Sequence, residues 1–234
     1  MSSVNLITGA SSGIGHAICQ KLLARGDTVI GLARDFSREP IKHDNFTAVG
    51  IDFSDLATLP ATLEAILQHH SHIDNLICCA GYGQFGSLEE FSYEQINRLI
   101  TVNFTSQAHV CRAILPGMKK HNSGKVIFIG SEAALQGQKF GAIYCASKFA
   151  MRGMAQALRE ECRSRNITVS MINPGMVKSG FYDGLSFQPG SDFENYLTTE
   201  DVASIVVQVL DSPGNLVVDE INLSPLKKVI RSKN

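Results

Sequence analysis

The order of its apolar runs constrains this chain more than anything else in it. Short apolar stretches alternate with longer amphipathic ones along nearly the whole length. "VNLIT" (4–8), "TVIGLA" (28–33), "FTAVGI" (46–51), "NLICCA" (75–80), "KVIFIG" (125–130), "TVSMIN" (168–173) and "LVVDEINL" (216–223) read as strands. Most are apolar at nearly every position, as expected of strands covered on both faces. Between most of them lie helical patterns over residues 13–25, 56–70, 93–120, 144–165 and 199–211. In the second, Leu56, Leu59, Leu63, Ile66 and Leu67 recur at helical spacing. Residues 34–45 are too few and too polar for a helix. Such alternation builds βαβ units. The expected fold is α/β, in three layers: a doubly wound parallel sheet of about seven strands with helices on both faces.

No repeat, low-complexity tract or linker breaks the pattern, and 234 residues suit a single domain, 1–234. The longest irregular stretch, residues 174–197, follows the sixth strand. Long loops inside compact domains are usually functional. In such sheets ligands bind beyond the carboxyl ends of the strands, where this loop begins. A net charge of −1 provides no field for nucleic acid. The one local bias, "KKVIRSKN", reads as a solvated, frayed end. Six scattered cysteines form no C-x-x-C and no paired spacing with histidine, so no metal site is expected. Free thiols and the lack of a signal-peptide pattern suit the cytoplasm. No apolar run is long enough to span a membrane.

"TGASSGIG" (8–15) sits at the first strand-to-helix turn. Gly9, Gly13 and Gly15 lack β-carbons that would hold a pyrophosphate away, and the helix N-terminus offers free N–H groups. The spacing, G-x-x-x-G-x-G, differs from the common dinucleotide fingerprint G-x-G-x-x-G. In "YCASK", Tyr144 and Lys148 are four residues apart and share a helix face. A free tyrosine titrates near pH 10 and is a poor base at neutrality. An adjacent ammonium should draw it down. Ser131, ending the fifth strand, is placed to donate a hydrogen bond to a substrate oxygen.

Taken together, these residues resemble the short-chain dehydrogenase/reductase family, in its single-domain Tyr-x-x-x-Lys subgroup. The resemblance runs from Val4 to about Leu223. "TGASSGIG" is similar to the family's T-G-x-x-x-G-x-G, "YCASK" to Y-x-A-S-K and "NPGMVKS" (173–179) to its Pro-Gly turn, with Ser131 thirteen residues before Tyr144. The resemblance implies a Rossmann-type fold and hydride transfer between a nicotinamide cofactor and a carbonyl or secondary alcohol. It implies that Tyr144 is the general acid/base, Lys148 lowers its pKa and binds the nicotinamide ribose, and Ser131 orients the substrate oxygen. Asn103 would support a proton-relay water. Around the cofactor it implies Gly9, Ser11, Ser12, Gly13, Ile14 and Gly15 at the phosphates, Asp52 and Phe53 at the adenine, and Ala80 and Gly81 at the ribose. Pro174, Gly175, Val177 and Ser179 would hold the carboxamide side. Where the family reads N-N-A-G this chain reads "CCAG", Cys78–Gly81. Adjacent Cys78 and Cys79 are expected to be buried structural thiols rather than a redox sensor. The family's habit of assembly implies a homodimer or homotetramer.

Which cofactor is expected turns on "GLARDF" (31–36). Asp35 lies twenty residues after Gly15, which by counting alone predicts NAD. In the family, however, the deciding acid ends the second strand, where this chain has Ala33. Arg34 follows, at the position of a basic residue in NADP-preferring members. Its guanidinium can grip a 2′-phosphate with two hydrogen bonds. NADP(H) is therefore expected, with NAD(H) the alternative. Ser12, where some members carry a second base, and the charge of Asp35 count against it. Phe181, Tyr182, Phe187, Phe193 and Tyr196 in the long loop, with Tyr82, Phe85, Gln136 and Gln138, are candidates to line a pocket for a neutral carbonyl compound. Two other readings are a cofactor-binding regulator without turnover and a scaffold that binds nothing.

Overall fold

The computed structural model describes residues 2–70 and 72–233. Met1 and Asn234, the ends of the expected domain and of the basic tail, lie outside them, as does Ser71. The chain forms β1 (Val4–Thr8), α1 (Gly13–Ala24), β2 (Thr28–Ala33), β3 (Phe46–Gly50), α2 (Leu59–His69) and β4 (Asn75–Cys78). It continues with α3 (Tyr93–Ile100), α4 (Ser106–His121), β5 (Gly124–Ile129), α5 (Ala142–Cys162) and β6 (Ile167–Pro174), then β7 (Phe187–Pro189), α6 (Thr199–Leu210), β8 (Glu220–Leu223) and β9 (Ile230–Ser232). Seven strands make one parallel sheet in the order β3-β2-β1-β4-β5-β6-β8. The expected Rossmann-type, doubly wound sheet is present, with its order reversing between β1 and β4.

The strands are apolar throughout because both faces are covered. Along the central strands the side chains alternate. Leu6, Leu76, Val126 and Phe128 pack against residues of α2, α4 and α5, such as Leu63, Ile114 and Met151. Ile7, Ile77 and Ile127 face α1 and α6 through Ile18, Leu22, Val202 and Val206. Period-two geometry thus divides one apolar run between two cores. The edge differs: β3 is half-buried or exposed along its length, since nothing pairs with its outer side.

Three boundaries and the basic tail depart from expectation. The helix predicted over 93–120 is divided by a π-helical turn, Thr101–Thr105, in which the Ser106 N–H bonds to the Thr101 carbonyl. The second helix starts at Leu59 rather than 56, because Asp55 Oδ1 accepts the N–H groups of Ala57 at 3.0 Å and Thr58 at 3.4 Å and holds that approach as a turn. The last sheet strand begins only at Glu220, leaving Leu216 and Val217 exposed. The basic tail is not frayed. In it β9 pairs antiparallel with β7, inside the long loop. Its charges have partners: Lys227 pairs with Glu194, Lys228 with Glu132 at 2.9 Å, and the Lys233 ammonium donates to the Tyr182 carbonyl. Among the described residues no helix is long and apolar enough to cross a membrane.

Candidate active site

The glycine loop is a close-packing device before it is anything else. Gly9 has φ +71°, and a β-carbon there would lie 2.8 Å from Ala80 Cα. A β-carbon on Gly15 would meet the Gly9 carbonyl oxygen at 2.2 Å. Gly13, φ +56°, faces Ser179 across the cleft, 3.8 Å from β-carbon to β-carbon had it one. Ser12 caps α1 without spending its side chain, so its hydroxyl is free beside the helix N-terminus. Thr8 fastens the two loops together. Its Oγ1 accepts the N–H groups of Cys79 and Ala80, each at 3.0 Å, and donates to Gln107 Oε1 at 2.8 Å. Strand-end position was the only sequence sign of that role.

The four candidate catalytic residues converge on the carboxyl edge beside this loop. Asn103 is fully buried in the π-helical turn. Its side chain exchanges 3.0 Å hydrogen bonds with the backbone of Tyr82 and donates to Ser147 Oγ at 3.2 Å. Ser147 in turn donates to the Tyr144 carbonyl at 2.7 Å. Nothing in the sequence sets Ser147 apart, although it stands within "YCASK". Lys148 Nζ donates to the Ile129 carbonyl at 3.2 Å and lies 5.8 Å from the Tyr144 ring centre. A β-carbon on Gly81 would come within 3.2 Å of Asn103 Oδ1 and 3.7 Å of Lys148 Nζ. Glycine there keeps an open floor between the two.

The electrostatics differ from the expectation that Lys148 lowers Tyr144. Burial pushes the Tyr144 phenol well above its ordinary range; Ser131 pulls it back, while Tyr182, Cys145 and Glu132 add to the rise. Burial also pushes Lys148 down to about 8. Burial is the largest influence on each group and disfavours the charged form of both. Tyr144 at neutral pH is therefore a protonated hydroxyl, able to donate.

At the carboxyl end of β2, Arg34 is exposed. Asp52 is held below the usual carboxyl range, first by the Ser54 backbone N–H and also by the Ser54 hydroxyl, Arg34 and Arg98. Asp35 turns back on its own loop, accepting from Ser37 N at 2.8 Å and Ser37 Oγ at 2.7 Å. Phe53 and Ala80 are buried beneath this end of the cleft. Cys78 and Cys79 face opposite sides of the sheet: Cys78 lies 4.0 Å from Cys111, sulfur to sulfur, whereas Cys79 packs on the α1 side. Burial raises the Cys79 thiol to about 12.

The Pro-Gly turn runs on from β6. The Gly175 N–H donates to the Leu223 carbonyl at 2.7 Å, Val177 bridges to Leu197, and Ser179 Oγ caps the turn Gly180–Tyr182. Phe181, Tyr182 and Phe187 join Phe85 in an aromatic cluster over Tyr144, whose ring centre is 5.0 Å from Phe85 and 6.0 Å from Phe181. A cavity of about 450 Å³ opens beside them, lined among others by Tyr82, Gln84, Phe85, Leu185 and Phe187. Phe193 and Tyr196 are not in the cluster. They pair with each other at 6.2 Å, and Phe193 is 74% exposed. Gln136 is exposed, while Gln138 reaches Glu132 at 3.4 Å. Glu132, Lys228 and the tail strand were not anticipated, because only the fold brings them here.

The family profile described as short chain dehydrogenase matches residues 3–187. An uncharacterized oxidoreductase of Staphylococcus epidermidis is 31% identical over 227 residues, covering 95% of this chain and 97% of that protein. An alcohol dehydrogenase from the archaeon Thermococcus sibiricus, solved with 5-hydroxy-NADP, superposes with a TM-score of 0.88 at 26% identity, covering 98% of this chain and 99% of that one. A serine dehydrogenase in its closed form, complexed with NADP+, gives 0.83 at 25% identity, covering 99% and 98%.

Thr8→Val would leave the Cys79 and Ala80 N–H groups unpaired. It is expected to lower stability by about 1–3 kcal/mol in urea unfolding, with an unchanged far-ultraviolet circular dichroism spectrum.

Proposed function

This chain belongs to the short-chain dehydrogenase family, and from that premise we propose that it is an oxidoreductase moving a hydride between NADP(H) and a carbonyl or secondary alcohol. The observation that carries the reading is the convergence of Tyr144, Lys148 and Asn103 around the glycine floor at Gly81, at the carboxyl edge that also holds the Gly9–Gly15 loop. The residues present fit a dinucleotide. Gly9 and Gly15 admit no β-carbon, and the free Ser12 hydroxyl and the start of α1 suit a pyrophosphate. Ser11, Gly13 and Ile14 complete that loop. Arg34, with Asp35 turned back on its own loop, suits a 2′-phosphate. The NADP-bound T. sibiricus and serine dehydrogenases support the same choice of cofactor.

In the reductive direction Tyr144 donates its phenolic proton to the carbonyl oxygen, and Ser131 holds that oxygen by a hydrogen bond. Such donors favour the developing negative charge because they are in place beforehand. NADP(H), when bound, would supply the hydride for the carbonyl carbon or accept it in the reverse direction. Lys148 would hold the ribose hydroxyls of the cofactor and pass protons back toward Tyr144. Asn103 fixes the Tyr82 loop against α5 and so keeps Lys148 and Gly81 in register. Asp52, Phe53 and Ala80 receive the adenosine end. Pro174, Gly175, Val177 and Ser179 border the nicotinamide. The aromatic cluster excludes water and suits a neutral carbonyl compound. A regulator without turnover would have no use for a buried phenol beside a buried lysine.

The chain is further inferred to form a homodimer or homotetramer. Phe149 on α5 and Tyr93 on α3 are exposed, 43% and 88%, on the helices that would pair. Light scattering at micromolar concentration is expected to give two or four chains; a single chain would overturn this.

Tyr144→Phe is expected to lower kcat for carbonyl reduction by about a hundredfold or more, with NADPH fluorescence titrations unchanged. Wild-type turnover would sink the assignment. Arg34→Ala is expected to weaken NADPH binding by about ten- to a hundredfold and to leave NADH nearly unaffected. Equal losses for the two cofactors would reverse the choice between them.

A further inference from the structure

The segment after β8 returns to the catalytic edge. It runs antiparallel to the substrate loop through β7 and β9, extended by 2.8 Å from Lys227 N to the Glu194 carbonyl and 2.7 Å from Lys233 N to the Ser186 carbonyl. The Lys233 ammonium also holds the Tyr182 carbonyl. Tyr182 and Phe187, the residues so fastened, pack in the aromatic cluster over Tyr144. From the same segment Lys228 Nζ reaches Glu132 Oε2 at 2.9 Å.

Glu132 stands directly after Ser131. Its side chain is 24% exposed, and Oε1 accepts from Gln138 at 3.4 Å. Oε2 lies 3.4 Å from the position of a β-carbon on Gly175. The carboxylate is therefore wedged between the Ser131 turn and the Pro-Gly turn, at the wall of the site. Among the described residues Lys228 is the ion-pair partner of Glu132. A half-buried carboxylate loses much of its solvation, so a partner matters more to it than to a surface acid.

We propose that residues 226–233 are a working part of the active site: β9 fastens the substrate loop over Tyr144, and Lys228 neutralises Glu132 beside Ser131. Lys228 is a positioning residue acting through Glu132, and the inference rests on the oxidoreductase reading above. The titratable and charged groups facing Tyr144 are Glu132, Cys145, Tyr182 and Lys148; Phe85 and Phe181 close the rest. Of these, Glu132 is the anion, and it opposes loss of the phenolic proton. Removing Lys228 leaves that opposition uncompensated. Alcohol oxidation, in which Tyr144 must receive a proton, then requires a higher pH.

Three variants and one proteolysis comparison test this. Lys228→Met is expected to raise KM for the carbonyl substrate about threefold or more, a larger change than in kcat. It should also move the pH profile of alcohol oxidation upward by about half a unit. Lys228→Arg restores both, and Glu132→Gln with Lys228→Met returns the profile to the parent position. A merely structural role would not respond to the second removal. An unchanged KM and profile in Lys228→Met overturns the neutralising role. Lys233→Pro removes the bonds to Ser186 and Tyr182. In the cofactor-free protein it is expected to speed chymotryptic cleavage within 174–197 by about threefold or more. Equal cleavage rates overturn the fastening role. If the parent turned over no carbonyl or alcohol, the oxidoreductase reading would fall, and the cleavage comparison would decide the fastening by itself.

Discussion

The whole carboxyl edge depends on how closely two backbone segments approach at the point where the sheet order reverses. Gly9 and Ala80 are near enough that no β-carbon fits between them, and the Thr8 hydroxyl ties the second segment to the first. Gln107, bonded to the same hydroxyl, links both to α4. One threonine thus joins β1, the loop after β4 and a helix of the opposite layer. The start of α1 and the Gly81 floor are positioned relative to each other by that contact. Two N–H groups satisfied by one side chain, that of Ala80 in a buried bond, leave little freedom, since breaking the contact leaves polar groups unpaired.

A second tension lies within the catalytic cluster. Tyr144 and Lys148 are both buried, and burial opposes the charged form of each. The phenol is therefore held protonated, while Lys148, at about 8, stays mostly ammonium at neutral pH but gives up its proton more readily than an exposed lysine. That state favours giving a proton over taking one. The aromatic residues that cause the burial belong to the long loop and to the segment after β4, not to the helix that carries the pair.

Much of the site was legible because it is local. The glycine loop, the Tyr144–Lys148 pair and the Pro-Gly turn are each contained in fewer than ten residues, and each needs only its own strand end or helix turn to be placed. Asn103 could be singled out in the sequence, but the π-helical turn that buries it could not, since the hydrophobic period of α3 and α4 continues across it. The two cysteines, expected to be structural thiols, pack on opposite sides of the sheet, Cys78 at the end of β4 and Cys79 just past it. Phe193 and Tyr196 lie in the same aromatic-rich loop as Phe181 and Phe187, yet they pair with each other outside the cluster.

The sequence by itself determined the layered parallel sheet, its glycine loop and the helix face bearing Tyr144 and Lys148. These follow from periodicity and from steric demands that act over a few residues. Tertiary structure alone decided which aromatic residues cover Tyr144, the direction in which its proton is held, and the return of the basic tail as a strand. Glu132 and Lys228 are 96 positions apart. Nothing in the pattern of either segment carries that pairing, because an antiparallel strand as short as β9 is specified by the surface it meets rather than by its own residues.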